Sequence, residues 1–192
     1  MLSRLLSSVL ALGAALVTAG FRPAPIDSAP PAPAVRLEVS LSRRTLTVYR
    51  GGRATTTFPV AVGTDAHATP TGAFHIDEII WNPGWVPPAA RWADDATRKA
   101  PDEPGNPMTG AKLFFQEPDY YIHGTDAPES IGDAASHGCI RMRTADVVAL
   151  ARLVQEAGGA HRSDAWYAIA EANDDTNHVV RLPDPVSIVI RE

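Results

Sequence analysis

Tyr120-Tyr121-Ile122-His123-Gly124, and twelve residues further on Ser136-His137-Gly138-Cys139-Ile140-Arg141-Met142, frame the stretch on which the reading of this chain turns. Cys139 is the single cysteine among 192 residues. Ser136 and His137 stand just before it, and His123 sits upstream at the end of an expected strand. A thiol attacks as thiolate, and an unperturbed pKa of about 8.5 leaves only a few per cent ionised at neutral pH. A nearby imidazole can take the proton and hold the thiolate as an ion pair. The segment reads as a cysteine acyl-transfer site. The backbone N–H groups of Gly138 and Cys139, at a tight turn, are candidates for an oxyanion hole in which each donor is worth about 2.7–4 kcal/mol.

Two histidines compete for the role of base. His123, at a strand end, is held where a side chain can be aimed. His137 is too near Cys139 along the chain for its geometry to be read from spacing. Zinc chemistry is the rival, because His123, His137 and Cys139 are all zinc-ligand types and three ligands with an open position make a catalytic pattern. A His-x-Cys pair is not a usual structural spacing, however, and no second cysteine exists. Papain-type chemistry fits worse, since its histidine follows the cysteine by more than a hundred residues. A buried, inert cysteine is the bland alternative, and two histidines and a glycine are poor company for one.

Outward from this centre, the N-terminus reads as an export signal. Arg4 precedes a short apolar run from Leu5 to Val17, and Val17-Thr18-Ala19 offers a cleavage site. The run is shorter than the roughly 20 residues needed to span a bilayer. Residues 1–19 are therefore expected to be a signal peptide, with membrane contact only if the leader is uncleaved. Residues 20–34, with five prolines among residues 21–34, read as an extended linker, and residues 35–192 as the domain. Export places Cys139 in an oxidising compartment, where an unpaired cysteine is a reactive-thiol candidate.

The domain opens on alternation, Val35-Arg36-Leu37-Glu38-Val39-Ser40-Leu41, which predicts a half-buried strand. Further strands are expected at Thr45–Tyr49, about Ala54–Val62, Ala73–Ile80, Lys112–Gln116, Tyr120–His123, Val179–Leu182 and Val186–Ile190, the last two separated by Pro183-Asp184-Pro185. Residues 81–119 carry seven prolines and three of the four tryptophans, Trp81, Trp85 and Trp92. They read either as a binding flap or as a loop whose aromatics plug the core. Thr144 is expected to cap a helix to about Ala157 with Val147, Leu150, Ala151 and Val154 as its apolar stripe, and a second helix is expected from Asp164 to about Ala172. This pattern predicts a mostly β fold with α: a curved mixed β-sheet, sandwich-like, with helices packed after the cysteine.

The length suits one domain. The net charge is −5, and 15 arginines and two lysines are scattered rather than clustered. That argues against nucleic acid or an anionic membrane surface as partner.

Tyr121-Ile122-His123-Gly124 followed by Ser136-His137-Gly138-Cys139-Ile140-Arg141-Met142 resembles the active-site signature of the L,D-transpeptidases of the YkuD type. Leu46-Thr47-Val48-Tyr49, Pro59-Val60-Ala61-Val62-Gly63 and Thr69-Pro70-Thr71-Gly72-Ala73-Phe74 are similar to the family's N-terminal half, and Trp81 to Pro88 resembles a segment that some members carry beside the substrate path. The resemblance implies Cys139 as nucleophile and His123 as proton acceptor and donor. His137 and Ser136 would shape the pocket, and Gly138 with Cys139 would supply oxyanion amides. Arg141, Trp85, Tyr121 and Gly124 are the implied substrate-side residues, with a structural ion pair as the alternative for Arg141. Where some members have serine after the first histidine this chain has Gly124, so any contact orienting the base must be a backbone one or come from elsewhere.

The implied activity is that of an exported cell-wall enzyme acting on peptidoglycan stem peptides in the periplasm or wall space, as a monomer, without cofactor or metal. The runner-up gives the same thioester to water, as an L,D-carboxypeptidase or amidase. A non-catalytic wall-binding module is the third reading. On the base, the expectation is that His123→Ala raises the pH at which Cys139 is alkylated, and that His137→Ala does so less.

Overall fold

The computed structural model describes residues 34–172 and 174–192, so the expected leader and nearly all of the linker lie outside it. Ten strands and two α-helices follow in order: β1 (Val35–Ser40), β2 (Thr45–Arg50), β3 (Arg53–Pro59), β4 (Val62–Gly63), β5 (Gly72–Trp81), β6 (Thr109–Gln116), β7 (Tyr120–Gly124), β8 (Ala134–Ser136), β9 (Ile140–Met142), α1 (Thr144–Ala157), α2 (Asp164–Ala170) and β10 (His178–Arg191). Eight strands form one sheet in the order β3-β2-β1-β10-β5-β6-β7-β9, while β4 and β8 pair in parallel beside it. The sheet is mixed, with parallel pairs β1–β10 and β7–β9 and antiparallel pairing elsewhere. It curves back on itself, because Ala61, just past β3, exchanges two backbone hydrogen bonds of 2.9 Å with Arg141 on β9.

Alternation sets the two faces. Ile79, Leu113, Ile122 and Ile140 stand side by side across β5, β6, β7 and β9, and all are fully buried. Val147, Leu150, Ala151 and Val154 of α1 are equally buried in the same core cluster. Trp81, the last residue of β5, belongs to this face: it is fully buried and its indole N–H donates to Gln155 Oε1 of α1 at 2.7 Å. A strand places successive side chains on opposite faces. Lys112, Tyr121, His123 and Arg141 therefore share the face away from α1.

Several boundaries differ from expectation: the strand expected to about Val62 ends at Pro59, with Val62–Gly63 a separate strand, and β8 and β9 were not foreseen. The C-terminal strands are one element, since β10 runs through Pro183-Asp184-Pro185. There the register with β5 breaks, and residues 182–185 stand opposite Asp77 alone. Proline cannot donate to a ladder, and a bulge is where a sheet tolerates it. The same break lets β5 bury even-numbered Ile76 on one side of it and odd-numbered Ile79 and Trp81 on the other. Helix α1 is capped at Arg143, with no side-chain cap bond. The Thr144 hydroxyl is instead paired with Thr109 Oγ1 at 2.6 Å.

No helix among the described residues is long and apolar enough to cross a membrane.

Candidate active site

The parallel pairing of β7 with β9 builds the centre of the site. His123 is in register with Arg141 and Ile122 with Ile140, which sets Tyr121 beside Cys139. Neighbouring strands lie about 4.8 Å apart and residues two apart on one face about 6.6 Å, so the pairing brings His123 and Cys139 together on the same face. Both line one cavity of about 760 Å³, shared with Ser136, His137, Arg141, Tyr121, Lys112, Asp119, Trp85 and Trp92.

His123 is 4% exposed, and its Nδ1 lies 2.8 Å from the Gly124 carbonyl oxygen. A carbonyl only accepts, so Nδ1 carries the hydrogen and Nε2 is left with a free lone pair. Of the two sources left open for a contact orienting the base, a backbone group or a residue elsewhere, it is the backbone carbonyl of Gly124 that fixes the tautomer. Glycine is required there for a separate reason: a Cβ on Gly124 would fall 2.1 Å from the Thr109 carbonyl oxygen. Burial pushes the His123 pKa down to about 4, against the raising effect of the Gly124 bond and with further lowering by Arg141 and Lys112. The imidazole is neutral at physiological pH, as a base must be.

Burial also moves Cys139, raising its pKa, while the Tyr121 backbone amide and the charges of Arg141 and Lys112 pull the other way and Asp119 adds to the rise. The thiol donates to the Asp119 carbonyl oxygen at 3.3 Å. Both shifts favour the neutral thiol and the neutral imidazole over the thiolate–imidazolium pair expected from sequence. The reason is desolvation, which disfavours both ions at once.

Ser136 is buried and works on backbone. Its hydroxyl donates to the Cys139 carbonyl at 2.5 Å and accepts the Gly138 N–H at 3.1 Å. The Gly138 amide, a candidate oxyanion donor, is thereby occupied by Ser136. Gly138 has φ +106°, and a Cβ there would meet the Tyr120 ring at 2.7 Å. Together these contacts set the turn that presents Cys139.

His137 is exposed. Trp92 stacks on it with ring centroids 4.0 Å apart, and His67 packs edge-on at 4.6 Å. Desolvation, then the nearby His67 and Arg141, hold its pKa below the ordinary value. The three ligand types weighed for zinc are not gathered: among the described residues no three His, Cys, Asp or Glu side chains are grouped to hold a metal ion.

The tryptophans divide between the two readings weighed for residues 81–119. Trp81 is core, whereas Trp85 and Trp92 line the cavity. Sequence reasoning missed His67, Trp92 as the partner of His137, and Lys112. Lys112 sits in the middle of an expected strand, and alternation could have placed it on the face of His123.

Residues 34–186 match the model of the YkuD family, the L,D-transpeptidase catalytic domain. The YkuD proteins of Bacillus licheniformis and Bacillus subtilis are 39% and 38% identical over 119 and 118 residues, covering 62% of this chain and 59% of each relative. The YbiS protein of Escherichia coli K12 is 30% identical over 105 residues, 51% of this chain and 34% of that protein. The chain thus matches little more than half the length of the Bacillus relatives. Among solved structures, an L,D-transpeptidase from Mycobacterium tuberculosis H37Rv aligns with a TM-score of 0.51 at 18% identity, over 83% of this chain and 58% of that one. L,D-transpeptidase 3 from the same species, carrying a faropenem-derived adduct, gives 0.52 at 18%, over 83% and 61%. These likenesses are of fold.

Proposed function

Because this chain belongs to the YkuD family of L,D-transpeptidase catalytic domains, we propose that it is an exported peptidoglycan L,D-transpeptidase that acts through a thioester on Cys139. The observation that carries the reading is the Nδ1–H bond from His123 to the Gly124 carbonyl, which leaves Nε2 as acceptor in the cavity that holds Cys139.

In the first half-reaction, Cys139 Sγ attacks the carbonyl carbon of the stem peptide's third residue while its proton passes to His123 Nε2. The tetrahedral oxyanion collapses, the C–N bond breaks, and the leaving D-alanine amine takes the proton from His123. In the second half-reaction an amine of another stem attacks the thioester. It gives its proton to Nε2, and the sulfur leaves and is reprotonated. Because both groups start neutral, no separated charges need be desolvated before attack, and proton transfer accompanies bond formation. The Cys139 amide is the oxyanion donor, the Gly138 amide being held by the Ser136 hydroxyl.

Incubation with a defined tetrapeptide muropeptide, followed by mass spectrometry, tests this. Loss of D-alanine with a cross-linked product, abolished by Cys139→Ala and by iodoacetamide, is the expected result. Tripeptide without cross-links would transfer the thioester to water and make the protein a carboxypeptidase. Activity lost to a chelator and restored by zinc would move the site to metal chemistry. No product from folded protein would leave a wall-binding module.

Export is supported by residues 1–19 and predicts a mature N-terminus near Gly20, which N-terminal sequencing of the exported form reads directly. A mature protein that keeps Met1 in the cytosol would overturn it.

A further inference from the structure

Lys112, His123 and Arg141 form one row across β6, β7 and β9, all on the cavity face. The row places a cation on each side of a neutral imidazole. Among the described residues neither the Lys112 ammonium nor the Arg141 guanidinium has a carboxylate oxygen within 4 Å or a side-chain hydrogen bond. Asp119 is the only carboxylate residue among those lining the cavity, and its backbone carbonyl already accepts from the Cys139 thiol. The Lys112 Nζ lies 4.8 Å from the centroid of the Tyr121 ring, and Tyr121 is the residue beside Cys139. The ammonium thus leans from its own row toward that of the nucleophile.

Glu78 and Asp119 act on Lys112 only from beyond ion-pair distance, and a half-buried cation with no carboxylate in contact is destabilising unless something else supplies the charge. The chemistry that fits is an anion on the acyl donor. On this basis, and resting on the reading of the site as a peptidoglycan acyltransferase, we propose that Lys112 is the specificity residue that reads a free carboxylate of the donor stem, with Arg141 closing the other side. A donor offers this group in two places. One is the α-carboxylate of the leaving residue, roughly 4 Å from the scissile carbonyl along the chain. The other is a side-chain carboxylate on the third residue.

Three donors separate these sources: the parent tetrapeptide, its C-terminal amide, and its third-residue side-chain carboxamide. Each is measured for kcat and KM with the wild type, Lys112→Met and Lys112→Arg, and for binding to the Cys139→Ala variant with and without Lys112→Met. The wild type is expected to prefer the parent over one of the two amides by about ten- to hundred-fold, mostly through KM. Lys112→Met should erase that preference and Lys112→Arg restore most of it, and the amide that is discriminated identifies the carboxylate. The same preference should appear in binding to Cys139→Ala, which needs no turnover. Equal losses on all three donors, or a wild type indifferent to both amides, would overturn the role of Lys112. If the proposed chemistry fails but the binding preference depends on Lys112, the carboxylate subsite stands without the thioester reading. Thermal melts of the Lys112 variants show whether the fold is intact, and a preference that persists in folded Lys112→Met also overturns the proposal.

Discussion

Trp92 lies almost flat on His137, with ring planes 15° apart and centroids 4.0 Å apart. This contact ties the proline-rich segment of residues 82–108 to the turn that carries the nucleophile, and it makes His137 part of the cavity wall.

Removing that contact should therefore affect substrate more than fold. Trp92→Ala is expected to raise KM several-fold with little change in melting temperature, since an exposed aromatic pair contributes only about 0.5–1.5 kcal/mol. Trp81→Ala is expected to do the opposite, lowering stability by about 3–5 kcal/mol through loss of a buried indole and its bond to Gln155. Thermal melts and steady-state kinetics on both variants check the contrast. Equal effects of the two on stability would dissolve the distinction between flap and core.

The neutral thiol–imidazole pair predicts how alkylation depends on pH. Iodoacetamide should react with Cys139 along a curve whose inflection lies above the ordinary thiol value, because burial is the largest influence on the sulfur. His123→Ala should leave that inflection nearly in place while lowering turnover by about 10²–10⁴-fold, the usual worth of a positioned base. An inflection below neutrality that rises in His123→Ala would reinstate the ion pair expected from sequence.

His123 also links stability to acidity. Its folded pKa of about 4 lies below the ordinary 6.5, so between those values the unfolded chain binds a proton that the folded chain refuses. Stability should rise with pH across that window and level off above it, by roughly 3 kcal/mol for this group. His123→Asn should flatten the slope. Denaturant melts of both proteins at pH 4 and pH 7 make the comparison, and identical slopes would mean that this histidine is not buried neutral.

Gly138→Ala should cost about 1–3 kcal/mol and most of the activity, because φ is +106° and the new Cβ would press on Tyr120. Truncating Tyr120 to alanine in the same chain should recover only part of the loss, since the backbone strain remains. Full rescue, read by melting temperature, would show that the ring clash alone mattered.

What the sequence disclosed here was whatever is local. Alternation located β1, and period-3.6 spacing located α1, because each element's own side chains specify its buried face. Cys139 and His123 were legible from residue type, and Gly124 could be read as a place where the contact orienting the base is a backbone one or comes from elsewhere. The stack of Trp92 on His137 was not legible, because it joins residues 45 positions apart through a segment without periodicity. The true cap of α1 was hidden because the Thr144 hydroxyl is claimed by Thr109, a partner 35 residues away. The two expected C-terminal strands proved to be one for a similar reason: Pro183 and Pro185 looked like a break, and only the pairing with β5 reveals that a bulge absorbs them.

Among the described residues β10 lies between β1 and β5 and joins the two halves of the sheet, which otherwise meet through the Ala61–Arg141 bridge and the β4–β8 pair. It is also the last of these strands to leave the ribosome. Until it arrives, β1 and β5 each present an unpaired edge. The strands of the site itself, β6, β7 and β9, pair without it, so what waits for the end of the chain is the closure of the sheet and not the meeting of thiol and base.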